Sequence, residues 1–293
     1  MNSSRFVKEP ATVEAQLMKL EHRGCFIEDK TYAKYILEKI NYYRLANYFA
    51  VFWENDKRYR QGTSFNKVLR LYEFDRRLRG HLLIFLEEIE ISMRAVISNF
   101  HALKYGALGY LNESTFGQAH HHHRFISRVE RLIETNTDLG FVSHHNRKYS
   151  GAFPLWVIME LFSFGMLAYF FSDMHKQDKK EIAERHFNRS ESAISARHIE
   201  SWLESLAELR NHCAHYNRLY AAEIKPAPKT LEDLSLKMDG SLFSFIYVIK
   251  LMNMYLSGSE NIKTNLSALL EEYGDVVDLK VMGFPENWDE TLT

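Results

Sequence analysis

Cysteine is scarce: Cys25 and Cys213 are the only two in 293 residues. Two thiols cannot make a disulfide framework or a thiolate zinc site, and so few suit a reducing cytosol. Proline and glycine are also sparse, at 5 and 13, which excludes collagen-like and low-complexity chains. With 46% apolar residues the composition is that of a globular protein. An excess of one charge is missing too, since 37 basic residues face 38 acidic ones. No global field therefore marks a nucleic-acid binder, and any such contact must use local patches. Several catalytic signatures are absent: the Walker A loop, the G-x-S-x-G elbow, H-E-x-x-H and G-x-G-x-x-G.

Long apolar runs are nearly absent as well. The exception, AFPLWVIMELFSFGMLAYFF, covers residues 152–171 with Glu160 as its one charge. Its length would span a bilayer. Pro154, Glu160, Ser163 and Gly165 interrupt it, and no basic cluster marks just one flank, so a buried central helix over Pro154–Phe171 is the better reading. The opening MNSSRFVKEPATVEAQLMKL has no apolar h-region, so no signal peptide is expected. Together these features predict a cytoplasmic protein without membrane contact.

What the chain has in abundance is helical periodicity. Val13, Leu17, Met18 and Leu20 suggest a first helix, and Tyr32, Tyr35, Ile36 and Ile40 a second that runs into INYYRLANYFAVFW. Residues 54–66 read as a polar loop, with Thr63 or Ser64 capping the next helix. The longest pattern runs from Phe65 to about Tyr105, through Leu71, Phe74, Leu78, Leu82, Phe85, Leu86, Ile89 and Met93. Residues 110–150 are polar and His-rich, with one helix suggested around Phe125–Ile133. Further helices are expected at Lys180–His186, Ile194–Tyr220, Leu242–Leu256 and Ile262–Tyr273. The reading is one all-α domain over 1–293: N-terminal helices in 1–64, a core in 65–225 that includes the 110–150 elaboration, and C-terminal helices and tail in 226–293.

The chemistry concentrates in RNHCAHYNRLY, residues 210–220. On a helix each residue advances about 100°, so Asn211, His215 and Arg218 share a polar face within about 60°. Arg210 sits roughly 100° from Asn211, with a side chain long enough to swing back. Histidine titrates near neutral pH and can move protons, while a guanidinium holds a phosphate through a planar fork. Those are the parts needed for metal-independent RNA cleavage. A base takes the proton of the 2′-OH, which attacks the adjacent phosphate, and a cation stabilises the charge on the phosphorus oxygens. DNA lacks that hydroxyl and would be spared. Taken bare, Arg-x4-His is a weak pattern, and spacing alone favours an exposed helix end with cations near its C-terminus.

RNHCAHYNRLY resembles the RNxxAHxxRL signature of the Abi-like (AbiD/AbiF) abortive-infection proteins of the HEPN superfamily. Other blocks occur in family order: INYYRLANYF (40–49), GTSF (62–65), LYEFDRRLRGHLLIFLEEIEISMR (71–94), LWVIMELFSFGMLAYFF (155–171) and MGFPENW (282–288). Tyr216 departs from the pattern, standing where many relatives have a second histidine. The resemblance implies a HEPN-type helical bundle with additional helices at both ends. It also implies a ribonuclease pair of Arg210 and His215, with Asn211 orienting the site, working as a homodimer without a cofactor. A toxin-like antiphage effector of this kind would act on RNA and could be restrained by a small structured RNA. The rival expectation is a non-catalytic RNA- or protein-binding module of the same fold.

Other residues carry two readings each. Glu87, Glu90 and Arg94 share one side of the long helix; they either support the motif or form an ordinary ion-pair set. Glu90 sits among apolar neighbours, so a buried carboxylate there would want Arg94 or Arg210. Lys57, Arg58, Arg60, Lys67, Arg70, Arg76, Arg77 and Arg79, interleaved with Tyr59 and Tyr72, suit either an RNA groove or a solvated helix face. From these, Tyr72, Arg76, Arg77 and Arg79 are selected with Arg218 as candidate RNA contacts. His120–His123 lack a recognisable ligand spacing, so a solvated loop is expected rather than a metal site.

Overall fold

The computed structural model describes residues 9–55, 58–187, 194–231, 238–256 and 262–293. Thirteen α-helices account for most of these residues: α1 Val13–His22, α2 Lys30–Lys39, α3 Tyr42–Phe49, α4 Phe65–Tyr105, α5 His122–Thr135, α6 Gly140–Lys148, α7 Leu155–Ile158, α8 Phe164–Asp173, α9 Lys176–His186, α10 Ala196–Ala214, α11 Leu242–Leu256, α12 Ile262–Tyr273 and α13 Trp288–Thr291. The class is all-α. Strand pairing among the described residues is confined to an antiparallel pair, β1 Trp53–Asn55 and β2 Arg58–Tyr59, and two isolated bridges.

The chain forms two compact units, Met1–Leu78 with Leu266–Leu279 and Arg79–Asn265 with Lys280–Thr293. In the first, the apolar stripes of α1, α2 and α3 bury Leu17, Leu20, Leu37, Leu45 and Phe49 with Phe65 and Phe74 of α4. Asn41 ends the run between α2 and α3, because its side chain accepts from the backbone N–H of Tyr43 and starts a new helix. The single helix read over this stretch is therefore two. Ser64 caps α4, its hydroxyl accepting from the N–H of Lys67 at 3.2 Å. Asp75 is fully buried and is satisfied by the hydroxyl of Tyr48 at 2.7 Å. Arg70 and Arg77 both lie over the Tyr273 ring, 5.2 and 5.4 Å from its centre. Each also pairs with a carboxylate, Asp275 and Glu272 respectively.

In the second unit α10 packs closely on α8. Ile199, Trp202, Leu203, Leu206, Leu209 and Cys213 form its buried stripe, at the spacing of one helix face. The apolar run at 152–171 is not one helix. α7 ends in a 3₁₀ turn at Met159–Leu161, Phe162 is extended, and Ser163 starts α8 by accepting from Met166 N–H at 3.3 Å. Among the described residues no helix is long and apolar enough to cross a membrane. Residues 110–150 hold two helices, α5 and α6, where one was expected. In the closing GFPENW block, Gly283 has φ +80°, and a Cβ there would lie 2.4 Å from that of Ser241.

The histidine tract is only partly a solvated loop. His120 is buried, stacked on Phe116 at 4.0 Å and bonded to Asp173 at 2.8 Å. His122 opens α5 and bonds the Leu111 carbonyl at 3.0 Å, whereas His121 and His123 are exposed. Among the described residues no group of three or more His, Cys, Asp or Glu could hold a metal ion.

His101 of α4 is fully buried in a cage of Tyr105, Phe116 and Phe170, with no partner for either ring nitrogen among the described residues. Burial holds it neutral, pushing its pKa from 6.5 to about 4, against the opposing pull of the Asp178 charge. The unfolded chain takes up this proton near pH 6.5 while the folded chain resists it until about pH 4. Stability from this group is thus full above pH 6.5 and falls as pH drops toward 4. Urea midpoints measured between about pH 7 and 4.5 should decline in the wild type and decline less in His101→Phe; equal slopes would contradict the assignment.

Candidate functional site

The site begins with a carboxylate in the wrong solvent. Glu90 lies on the core side of α4 with its side chain 9% exposed. An ionised carboxylate there needs a cation and hydrogen bonds. Arg94, one turn later, meets Oε1 through Nη2 and donates from the same group to the Phe162 carbonyl at 2.7 Å. That carbonyl is available because Phe162 is extended between the 3₁₀ turn and α8. Glu160 adds a weaker contact to Arg94 at 3.6 Å.

Arg210 approaches Oε2 of Glu90 from α10, its Nε at 3.8 Å. Its side chain stays 39% exposed, and among the described residues its Nη groups have no partner. The supporting residues Glu90 and Arg94 and the motif residue Arg210 are thus brought together. Glu87 falls on the same side of α4 as Arg94 but is exposed, and among the described residues no contact joins it to this cluster. The cluster thus sets two guanidiniums, Arg94 and Arg210, against two carboxylates, Glu90 and Glu160, with Arg210 at its exposed side.

Asn211 and His215 lie on the exposed face of α10. Arg218 does not join them, because the helix stops at Ala214 rather than near Tyr220. His215 is the C-cap, and its N–H still bonds the Asn211 carbonyl at 2.9 Å. Tyr216 then turns left-handed at φ 60°. Its N–H bonds the Cys213 carbonyl at 3.2 Å, and the Asn217 N–H bonds that of His212 at 2.9 Å. This paired arrangement is a Schellman ending, which reverses the chain and sends Arg218 off the helical face.

Arg79, an expected RNA contact, is turned inward. It is 3% exposed and donates to the Asn217 carbonyl at 3.1 Å, tying α4 to the turn after His215. The signal was present in the sequence, since Arg79 falls four residues after buried Asp75 on the apolar side of α4. In the other unit Arg76 is exposed, Tyr72 packs edge-on to Tyr48 at 5.2 Å, and Arg77 is paired with Glu272 and Tyr273. Lys57 lies outside the described residues.

A groove of about 210 Å³ runs between α8 and α10 and reaches Asn211. Glu200, Glu204 and Glu208, one turn apart, rim it beside Tyr169. Glu200 is held by Lys179 and the Ser172 hydroxyl at 2.7 and 2.8 Å, and Glu208 by His212 at 3.3 Å. One flank of Asn211 thus carries three carboxylates, one of them paired with Lys179, and the other carries Arg210.

Residues 35–221, which include the whole of this constellation, match the family model described as Abi-like protein. The chain belongs to the Abi-like family. No curated protein and no solved structure matches it. The match covers the expected blocks from INYYRLANYF through RNHCAHYNRLY; the MGFPENW block lies beyond it.

Replacing Glu90 by alanine leaves Arg94, whose side chain is only 17% exposed, with just the longer contact to Glu160 as counter-charge. A loss of about 3 kcal/mol in unfolding free energy is expected. A double-mutant cycle should give Glu90 and Arg94 a coupling above about 1 kcal/mol, and Glu90 with Arg210 less, because that pair is longer and wetter. Equal couplings measured by urea unfolding would contradict this ranking.

Proposed function

We propose that this Abi-like protein is a metal-independent endoribonuclease, the toxin-like effector of an antiphage abortive-infection system. Family membership supports the abortive-infection setting. The observation that carries the chemistry is an exposed His215 and Asn211 on the same helix end as an Arg210 whose Nε is engaged by Glu90 and whose Nη fork is unpartnered among the described residues. The fork suits two phosphate oxygens, His215 the proton transfers, and Asn211 the orientation of the strand. The acidic rim at Glu200, Glu204 and Glu208 repels a phosphate chain, which favours passage on the Arg210 side.

Arg210 and His215 are five residues apart, hence about 140° around the helix and about 7.5 Å along it. Within one chain they diverge. A two-fold mate presenting its own motif helix resolves this, because each phosphate then meets Arg210 of one copy and His215 of the other. The proposal therefore includes a homodimer. Arg218 and Arg76 remain proposed phosphate contacts, whereas Arg79 is proposed to position the turn. A small structured RNA as restraining partner is carried by the resemblance to AbiF-type proteins.

The same divergence favours a second reading, a non-catalytic module that anchors phosphate without turnover. Incubation with labelled single-stranded and structured RNA in EDTA separates the two. The ribonuclease leaves 2′,3′-cyclic phosphate and 5′-OH ends, loses about 10²- to 10⁴-fold in rate in His215→Ala, and is impaired in Arg210→Lys, which lacks the fork. Tight binding of RNA that stays intact supports the module.

A further inference from the structure

We propose that His120 and His122 form a two-histidine site for a divalent transition metal of the zinc class, a clasp between the start of α5 and the end of α8. The site does not rest on the ribonuclease reading above.

The positions of the imidazole protons come first. Nδ1 of His120 lies 2.8 Å from Oδ2 of Asp173, and Nε2 of His122 lies 3.0 Å from the Leu111 carbonyl oxygen. A carboxylate and a carbonyl only accept, so both of these ring nitrogens carry the hydrogen. In a neutral imidazole the other nitrogen is then a bare lone pair. Those two remaining nitrogens, Nε2 of His120 and Nδ1 of His122, face each other at 3.3 Å. Lone pairs aimed at one another repel, and a positive charge belongs between them.

The spacing selects the charge. Two Zn–N bonds of about 2.0–2.1 Å at the tetrahedral angle set their nitrogens about 3.3–3.4 Å apart, whereas a right angle would set them at about 2.9 Å. The ring centres are 5.4 Å apart with 59° between their planes, so the rings meet through nitrogen rather than by stacking. Metal-binding histidines almost always donate their second N–H to a carboxylate or a backbone carbonyl, which fixes the tautomer and aims the ring. Here one histidine does each. His120, its side chain 2% exposed, is held further by stacking on Phe116 at 4.0 Å.

Both histidines line a groove of about 470 Å³ with Glu113, His121, His123 and Arg124, which gives an ion a path from solvent. Among the described residues no group of three or more ligands forms, so the chain supplies two and water the rest. Four histidines in a row carry no metal signature as a sequence. The fold turns His120 and His122 toward each other and leaves His121 and His123 exposed. Asp173 closes α8 and His122 opens α5, so an ion on this pair ties one helix to the other through His120.

Calorimetric titration of the EDTA-stripped, dialysed full chain with ZnCl2 tests this at about pH 8, where free histidine is neutral. One Zn²⁺ per chain is expected, with Tm raised by about 5 °C at hundred-fold excess over Kd. Asp173→Ala should weaken binding about 10- to 100-fold, and loss of a ligand in His122→Ala should weaken it at least as much. The half-buried place of His122 keeps that variant clear of the core. A double variant, His121→Ala with His123→Ala, should stay within about two-fold of wild type. Affinity that survives His122→Ala and falls in the double variant means an adventitious ion only, on the exposed tract, and overturns the site. A wild-type chain that takes up no zinc leaves a shared proton between the rings and overturns it too. Zinc that binds without moving Tm overturns the clasp.

Discussion

The interior carboxylate of Glu90 is the constraint on which the site depends. A charge that is nine-tenths buried on an apolar helix must be matched, and α4 matches it first from within, through Arg94 one turn away. That arginine also satisfies the Phe162 carbonyl, which the break between α7 and α8 leaves exposed. The break, the buried acid and the internal arginine are one solution to one electrostatic problem. Arg210 then approaches the same carboxylate at longer range, which fixes its Nε side and leaves its fork unclaimed among the described residues. Lysine, a point charge on a flexible stem, could not be held and presented at once.

The end of α10 is set with similar economy. Cys213 and Leu209 are buried, Asn211 and His215 face out, and the helix is reversed within one turn. Arg79 reaches from α4 to the carbonyl of Asn217, so the long helix supports both ends of the motif, through Glu90 at Arg210 and through Arg79 beyond His215. A residue that looks like part of a basic surface in the sequence is a brace in the structure. A run of positive charge along a helix need not all face a ligand.

Much of this was legible beforehand. The spans of α4, α11 and α12 are given by apolar spacing alone, and the all-α class with them. Glu90 stood out because an acid between Ile89 and Ile91 needs a cation, and the two arginines nearest to hand by sequence reasoning are its neighbours in the fold. What periodicity missed is local backbone chemistry. Nothing apolar marks the end of α10 at Ala214, because the left-handed residue is Tyr216 and not the glycine that would have announced it. Periodicity alone therefore leaves Arg218 on a helical face that ends before it. Ser163 inside an apolar run is an exposed cap that accepts from Met166, which the apolar spacing around it does not announce. His120 reads as one of four exposed histidines until Phe116 and Asp173 are seen around it.

The central claim is that the guanidinium of Arg210 and the imidazole of His215, which diverge on one helix, act on one phosphodiester from two copies of the chain. Co-expression of differently tagged Arg210→Ala and His215→Ala chains, each inactive alone, tests it directly. Random pairing makes half of the dimers mixed, and each mixed dimer keeps one of its two composite sites, so roughly a quarter of wild-type cleavage should return. Purified mixed dimers that remain as inactive as either parent would contradict the account.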